Sequence, residues 1–243
     1  MKKVGIIGAG AWGIALGISL EKNGCAVCLW HYDKQKLEKL NFERTTSKLN
    51  NITISEKIKF TDSLEEVLNS DTLIYASPTQ QFDTITRKVR TIKSINKPLV
   101  IACKGIDITS NKLLTEISNE NLPDCIPVIL SGPGFAIDLA NGHPIAVTLA
   151  SNSPSTLENV GQLLANNNFR PYFNDDVVGV QIGGALKNVI AIATGIAMGK
   201  KLGDGAVASL ITRGMNEIIS FGMIMGAKKE TFFGLSGLGD LVL

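Results

Sequence analysis

The sequence predicts an α/β protein in which a doubly wound parallel sheet, with helices on both faces, is followed by an all-α region. Three observations support this fold class. Short apolar runs recur at helix-length intervals through most of the 243-residue chain, a glycine-rich turn connects the first run to a helical pattern, and the alternation stops near residue 175. This order of patterns is typical of a parallel sheet followed by a separate helical domain.

Six apolar runs have the length and composition of buried parallel strands. They lie at residues 4–7, 26–30, 72–76, 99–102, 127–130 and 145–149. Between them, residues 12–23 carry spaced apolar positions and end before Gly24, which is a helix stop signal. Residues 63–68 begin with Ser63, a candidate helix N-cap. The gaps between the runs therefore predict helical crossovers.

Beyond about residue 175 every segment has a helical pattern, up to a glycine-rich turn at residues 234–241. We therefore expect residues 1–175 to form the sheet domain and residues 176–243 to form the start of a helical domain. Because the pattern stops at Leu243 with neither a cap nor a polar tail, we expect this helical domain to be truncated.

Composition indicates a soluble globular protein whose partners are small molecules. Hydrophobic residues make up 44% of the chain and charged residues 19%, and the formal net charge of +2 is too small to indicate nucleic-acid binding. Because no charged and then apolar pattern precedes the first strand, we expect no secretory leader, and we expect the four cysteines to stay reduced in the cytoplasm. The pair Cys25 and Cys28 lacks a second pair at zinc spacing, so no metal site is predicted.

The apolar stretch at residues 177–199 is long enough to span a bilayer. Lys187 and Asn188 lie at its centre, where a charged side chain is costly in lipid. We therefore predict a buried helix of a soluble protein and no integral membrane segment.

The first predicted strand runs directly into the turn GAGAWG at residues 8–13, and a helical pattern follows at once. In this context the GxGxxG spacing predicts a dinucleotide-binding turn of the Rossmann type. Gly8 permits the tight turn, Gly10 lets a pyrophosphate approach the backbone, and Gly13 allows the helix to pack closely. The helix N-terminus supplies N–H donors and the positive end of a dipole. The expected cofactor is therefore NAD or NADP.

The residues after the second strand bear on the choice between these two cofactors. Asp33 lies near the position at which an acid accepts a hydrogen bond from the ribose 2′-hydroxyl and favours NAD. Lys34 and Lys36 could instead bind the 2′-phosphate of NADP. The sequence alone leaves both alternatives open.

Ligands of open parallel sheets bind beyond the carboxyl ends of the strands. Lys104 follows the fourth apolar run beside Gly105, which puts a cation at the mouth of the expected cleft. Lys187 is the one charged residue of the stretch 177–199 and follows small residues, so a ligand can approach it closely. Desolvation there favours the neutral amine that acid–base exchange requires. Asp240, in the glycine-rich turn, could orient Lys187 or accept a hydrogen bond from a substrate hydroxyl.

Six motifs carry a resemblance to a known family. They are GAGAWG (8–13), CKG (103–105), SGPGFA (131–136), GGALKNVIAI (183–192), LITRG (210–214) and GLSGLGDL (234–241). Taken in this order they resemble the NAD(P)-dependent glycerol-3-phosphate dehydrogenases of bacterial type, over essentially the whole chain. The motifs GGALKN, LITRG and GLGDL are far more specific than the glycine turn.

The resemblance implies the interconversion of dihydroxyacetone phosphate and sn-glycerol 3-phosphate with NAD(P)(H), which supplies the backbone of glycerophospholipids. It implies that Lys187 donates and accepts the proton and that Lys104 holds the substrate near the cofactor. The remaining substrate-site residues would be Gly132, Gly134, Asn188 and Asp240. The further cofactor contacts would be Ala11, Trp12, Tyr32 and Ala136. We also expect a homodimer.

The sequence departs from the family pattern at three places. The family commonly has Ser or Thr where Gly134 stands, which removes one hydroxyl contact, and asparagine where Gly205 stands. The family pattern also continues past Leu243 through a segment rich in Ser, Arg and Asn, whose arginine binds substrate phosphate and cofactor. Two alternatives to an active enzyme of this family therefore stay open: a cofactor-binding remnant without turnover, and a related β-hydroxyacid dehydrogenase.

Overall fold

The computed structural model describes residues 1–243 and contains one eight-stranded sheet. In chain order its strands are β1 (Lys3–Ile7), β2 (Ala26–Trp30), β3 (Lys59–Thr61), β4 (Thr72–Tyr75), β5 (Pro98–Ile101), β6 (Ile126–Ser131), β7 (Ile145–Ala150) and β8 (Phe169–Asn174). Their order across the sheet is β3-β2-β1-β4-β5-β6-β7-β8. The chain changes direction across the sheet between β1 and β4, which creates a crevice at the carboxyl ends of these strands.

Ten helices accompany the sheet. They are α1 (Ala11–Lys22), α2 (Lys34–Glu43), α3 (Leu64–Leu68), α4 (Phe82–Ile92), α5 (Leu114–Asn121), α6 (Ala136–Asn141), α7 (Pro154–Leu164), α8 (Val177–Gly199), α9 (Asp204–Ile224) and α10 (Asp240–Val242). Four of them begin where a side-chain oxygen accepts a hydrogen bond from the backbone N–H three residues later. The capping residues of α2, α3, α7 and α8 are Asp33, Ser63, Ser153 and Asp176.

All six predicted strands are present, each within one residue of its expected bounds, and the helices expected at 12–23 and 63–68 are confirmed as α1 and α3. The sequence does not predict β3 and β8, the two edge strands. β3 has only three residues, and β8 includes Pro171 and is partly exposed, so neither forms a continuous apolar run. An edge strand tolerates proline because one of its sides needs no ladder hydrogen bond.

The predicted parallel sheet is confirmed except at one pairing, because β7 pairs antiparallel with β6 and parallel with β8. The connection between β6 and β7 explains the reversal. Its helix α6 has six residues and is therefore about 9 Å long, whereas a six-residue strand spans about 20 Å. The chain does not return to the start of β6 and enters β7 near the carboxyl end of β6, where Ser131 pairs with Thr148.

Apolar side chains form a separate core on each face of the sheet. Ile6 belongs to the cluster that α1, α2, α6 and α7 cover, whereas its neighbour Ile7 belongs to the cluster covered by α3, α4 and α5. This alternation follows from the two-residue period of a strand. A third cluster joins Ile182 of α8 and Met215 of α9 to Leu113, which precedes α5. The helical region therefore packs directly against the sheet region.

The expectation that residues 177–199 form a buried helix is correct only for the first half of α8. Residues 179–184 are buried, whereas Ile192 and Ile196 are 65% and 56% exposed. By length and composition α8 is also the one helix able to cross a membrane. A single helix of this kind is weak evidence for a membrane protein, because core helices of soluble proteins have the same composition.

Candidate active site

The glycine turn between β1 and α1 is held by close backbone contacts. Gly8 has a φ of +127°, and a Cβ added there would lie 2.7 Å from the Ala76 backbone. A Cβ at Gly13 would lie 1.9 Å from the Gly8 carbonyl oxygen. A Cβ at Gly10 would meet nothing within 4 Å, and no side chain caps the N-terminus of α1. The open space above Gly10 and the free N–H groups of α1 fit the pyrophosphate of a dinucleotide.

A cavity of about 470 Å³ lies in front of this turn, at the carboxyl ends of β4, β5 and β6. Seven of the residues predicted to bind cofactor or substrate line it: Gly10, Ala11, Trp12, Lys104, Gly132, Gly134 and Ala136. Gly8 and Gly13 are buried beneath the turn. The structure therefore brings the glycine turn and Lys104 to one concave surface, as expected for ligands of an open parallel sheet.

Lys104, Lys187 and Asp240 meet at a single carboxylate. The Nζ atom of Lys104 pairs with Oδ2 of Asp240, and that of Lys187 pairs with Oδ1. Lys104 Nζ also donates to the Gly132 carbonyl oxygen at 3.1 Å, and Lys187 Nζ donates to the Asp240 carbonyl oxygen at 3.3 Å. The Asp240 side chain is fully buried, whereas those of Lys104 and Lys187 are 27% and 18% exposed. A ligand can therefore reach both lysines but not the carboxylate.

Two glycines of α8 allow this cluster to form. A Cβ at Gly183 would lie 2.6 Å from the Ser236 carbonyl oxygen, and a Cβ at Gly184 would lie 2.8 Å from Ser131 Oγ. Helix α8 therefore packs directly against the π-helical turn Leu235–Gly239 and against the end of β6. This packing carries the start of α10 to a position between two lysines that come from different parts of the chain.

The environment of Lys104 disfavours its charged form. Burial lowers the pKa of Lys104 below the 10.5 of an exposed lysine, the Asp240 carboxylate opposes this shift, and the neighbouring Lys187 ammonium adds to it. When both lysines are protonated, two positive charges face one negative charge. The cluster therefore has one uncompensated positive charge, which suits an anionic ligand.

Cys103, directly before Lys104, contributes no nucleophile to this site. Burial raises the pKa of its thiol to about 12. The thiol therefore stays protonated near neutral pH, and the thiolate is the reactive form.

Three predicted residues lie outside the glycine turn, the cavity and the cluster of Lys104, Lys187 and Asp240. Tyr32 is 77% exposed and stacks on His31 at a ring-centroid distance of 4.7 Å. The Asp33 carboxylate accepts a hydrogen bond from the Lys36 backbone N–H at 3.2 Å and so caps α2. Asn188 follows Lys187 on α8 and is exposed. None of the three is part of the surface that joins the glycine turn to Lys104.

The two glycines at which the sequence departs from the family pattern, Gly134 and Gly205, lie in different environments. A Cβ at Gly134 would make an ordinary contact with the Ile145 side chain at 3.5 Å, so a hydroxyl side chain would fit at the edge of the cavity. A Cβ at Gly205 would meet nothing within 4 Å.

Ser131 begins the motif SGPGFA but has no predicted role. Its Oγ atom is buried, has no hydrogen-bond partner and lies beside Gly184. It also borders the cavity. Its position at the end of a predicted strand is the feature of the sequence that could identify it as a site residue, as it does for Lys104.

Two family models match the chain. The model described as NAD-dependent glycerol-3-phosphate dehydrogenase N-terminus matches residues 3–157, and the model described as NAD-dependent glycerol-3-phosphate dehydrogenase C-terminus matches residues 176–243. The chain belongs to this family. The resemblance inferred from the six motifs is thereby confirmed, and the matches favour the glycerol-3-phosphate dehydrogenases over the β-hydroxyacid dehydrogenases.

Individual glycerol-3-phosphate dehydrogenases agree with the family assignment. The NAD(P)+ enzyme of Rhodopseudomonas palustris strain BisA53 is 40% identical over 243 residues, which cover 100% of this chain and 74% of that protein. The one of Paramagnetospirillum magneticum strain AMB-1 is 41% identical, with coverages of 100% and 89%. The crystal structure of glycerol-3-phosphate dehydrogenase from Coxiella burnetii has a TM-score of 0.95 at 35% identity, with coverages of 100% and 75%.

The different contacts of Gly10 and Gly13 lead to a paired prediction. We expect Gly13→Ala to lower the free energy of unfolding by about 1–3 kcal/mol, because its methyl group overlaps the Gly8 carbonyl oxygen. We expect Gly10→Ala to fold as stably as the unsubstituted chain but to bind NAD(P)H roughly tenfold more weakly, because the methyl group keeps the pyrophosphate from the backbone. Urea unfolding and fluorescence titration measure the two effects. Equal effects of both substitutions on cofactor affinity at unchanged stability would contradict this assignment.

Proposed function

We propose that this chain catalyses the NAD(P)-dependent interconversion of sn-glycerol 3-phosphate and dihydroxyacetone phosphate, a step that supplies glycerophospholipid synthesis. The family is that of NAD-dependent glycerol-3-phosphate dehydrogenases. The observation that carries the proposal is the cluster in which Lys104 and Lys187 share the buried Asp240 carboxylate beside the cavity of the glycine turn.

Lys187 is the residue we propose as the proton donor in ketone reduction. A bound reduced nicotinamide supplies the hydride for the carbonyl carbon. The oxygen of that carbonyl gains negative charge as the hydride arrives, and the Lys187 ammonium transfers a proton to it. Asp240, which accepts a hydrogen bond from Lys187, holds the amine in one orientation.

Lys104 serves a different purpose in this proposal, because its Nζ atom is held between the Gly132 carbonyl oxygen and Asp240. Its exposed part faces the cavity and attracts the anionic substrate towards the residues of the glycine turn. The single uncompensated positive charge of the cluster favours a phosphorylated substrate over a neutral polyol. Gly132 and Gly134 border the same cavity and leave space for that substrate.

The decisive experiment measures NADPH and NADH oxidation by the purified chain with dihydroxyacetone phosphate. We expect turnover that saturates with the phosphorylated ketone. Saturable binding of either cofactor without any turnover would overturn the proposal and favour a cofactor-binding remnant.

Removing the Lys187 amine tests its role in proton transfer. We expect Lys187→Ala to lower kcat by about two to four orders of magnitude, the usual loss when general acid–base catalysis is removed. Cofactor affinity should stay nearly unchanged, because Lys187 lies outside the glycine turn. Lys200→Ala, at the exposed C-terminal end of the same helix α8, is the matched control and should retain full activity. An active Lys187→Ala variant would remove this residue from the mechanism.

The lowered pKa of Lys104 predicts how substrate binding depends on pH. Burial disfavours the ammonium, so Lys104 loses its proton at a lower pH than an exposed lysine. The KM for dihydroxyacetone phosphate should therefore rise as the pH increases through this lowered pKa, below 10.5. In Lys104→Arg the guanidinium keeps its charge, so the rise should disappear even if the absolute KM changes. A KM profile that is the same in both proteins would assign the rise to another group.

The domain division and the cellular location extend the same proposal. The two matched segments leave residues 158–175 between them, and the Asp176 carboxylate caps the first helix of the second segment. These facts support domains at residues 1–175 and 176–243. All four cysteines are free, which supports a reducing, cytoplasmic location.

We infer that the chain forms a homodimer. Exposed apolar side chains on α8 and α9, including Ile192, Ile196 and Ile224, support an interface on the helical region. Sedimentation equilibrium at micromolar concentration should give twice the 26.0 kDa mass of the chain. A monomer under these conditions would contradict the inference.

A further inference from the structure

The segment that carries Lys104 lies outside the regular structure of the sheet. Residues 102–107 follow β5 and belong to neither a helix nor a strand. Gly105, directly after Lys104, has a φ of +143°, a backbone conformation that residues with a side chain rarely adopt. A glycine also restrains the chain around it less than any other residue does. The position of the Lys104 backbone therefore depends on hydrogen bonds from outside the segment.

Two neighbouring side chains of a short helical turn after β4, Thr79 and Gln80, supply such hydrogen bonds. The Thr79 hydroxyl donates to the Lys104 carbonyl oxygen at 2.8 Å. The Gln80 amide nitrogen donates to the Ile106 carbonyl oxygen at 2.9 Å, and its amide oxygen accepts a hydrogen bond from the Ile108 N–H at 3.1 Å. The turn after β4 is thus connected by three hydrogen bonds to the backbone that carries Lys104.

Thr79 is itself held in place from two sides. Its side chain is buried, and a Cβ added to Gly105 would lie 3.0 Å from both Oγ1 and Cγ2 of Thr79. The Pro78 carbonyl oxygen accepts a hydrogen bond at 3.0 Å from the hydroxyl of Tyr75, a buried residue of β4. The absence of a side chain at Gly105 therefore lets the threonine approach the backbone, and the sheet holds the threonine from the other side.

Both ends of Lys104 are consequently fixed. Its Nζ atom is held by the Gly132 carbonyl oxygen and by Asp240, and its backbone carbonyl is held by Thr79. Lys104 lines the cavity, whereas Thr79 does not. The threonine can therefore affect a ligand only through Lys104. Such an effect can be large, because a displacement of about 1 Å at a binding group can reduce a rate about a hundredfold.

We propose that Thr79 is a positioning residue of the active site, whose hydroxyl holds the backbone of Lys104 so that the lysine ammonium meets the phosphorylated substrate in the cavity. Gln80 supports the same segment from the solvent side. This inference rests on the proposed function in one respect, which is that Lys104 binds that substrate. The residues after β4 belong to none of the six family motifs.

Two substitutions of Thr79 remove different atoms of the same side chain. Thr79→Val keeps its size and removes the hydroxyl. We expect the KM for dihydroxyacetone phosphate to rise about three- to tenfold, the range for the loss of one hydrogen bond, with little change in kcat. Thr79→Ser keeps the hydroxyl and removes the methyl group, so its KM should stay close to that of the unsubstituted chain. Steady-state kinetics at saturating reduced cofactor measures both, and an unchanged KM in Thr79→Val would overturn the proposal.

Urea unfolding separates positioning from a general loss of stability. Both substitutions should lower the free energy of unfolding, because one leaves a carbonyl without its donor and the other removes a buried methyl group. Only Thr79→Val should also raise KM. Thr91→Val is the matched control, because the exposed Thr91 hydroxyl donates to the Lys88 carbonyl oxygen at the same 2.8 Å, and its KM should stay unchanged. An equal rise of KM in Thr79→Ser and Thr79→Val would assign the effect to packing and contradict the role of the hydroxyl.

Gln80→Leu tests the support from the solvent side. This substitution removes the hydrogen bonds to Ile106 and Ile108, which lie farther along the chain than Lys104, and the Gln80 side chain is exposed. We therefore expect KM to rise less than in Thr79→Val. A larger rise in Gln80→Leu would contradict the assignment of Thr79 as the main positioning residue.

A binding measurement separates this inference from the proposed reaction. Isothermal titration calorimetry with dihydroxyacetone phosphate, at saturating oxidised cofactor with which this ketone cannot react, gives its affinity without turnover. Weaker binding by Thr79→Val, in a chain that shows no turnover, would support the positioning role while contradicting the proposed reaction. Turnover with the same KM in Thr79→Val and the unsubstituted chain would overturn the positioning role alone. If the unsubstituted chain neither binds nor reduces the ketone, both proposals are wrong.

Discussion

The buried carboxylate of Asp240 is the interaction on which the candidate site depends. It is fully buried, and leaving a carboxylate unpaired in such a position lowers the stability of the fold by about several kcal/mol. Two ammonium groups compensate it, one from the end of β5 and one from the middle of α8. The pairing therefore connects the sheet to the helical region through the same atoms that we assign to the chemistry. Stability and function cannot be changed independently at this position.

This arrangement also explains why an anionic substrate fits the cluster. Two lysines facing one carboxylate leave one positive charge, and burial, with a smaller contribution from the Lys187 ammonium, lowers the pKa of Lys104. A bound phosphate restores the balance and favours the charged form of Lys104. Substrate binding and the protonation of Lys104 are therefore coupled, with the charge of the substrate favouring the state of the cluster that attracts it.

Much of the fold could be predicted because it depends on local patterns. The six internal strands are continuous apolar runs, and the start of α3 at Ser63 is an ordinary capping signal. The edge strand β8 could not be predicted in this way, because Pro171 and its exposed neighbours match no buried pattern. The reversal at β7 depends on the length of α6, which six residues of unremarkable sequence do not reveal. These features follow from tertiary geometry rather than from local propensity.

The residues of the candidate site likewise differ in whether local sequence patterns reveal their role. Lys104 and Lys187 could be found from sequence, because a lone lysine after a strand or within an apolar helix is unusual. The cofactor contact of Asp33 stays a prediction, because an acid after β2 has the same appearance whether it binds a ribose, caps a helix or does both. Only the geometry shows that one oxygen of its carboxylate accepts a hydrogen bond from the Lys36 backbone N–H and caps α2. The role of this acid therefore depends on which hydrogen bonds its carboxylate already makes, and residue identity alone does not contain that information.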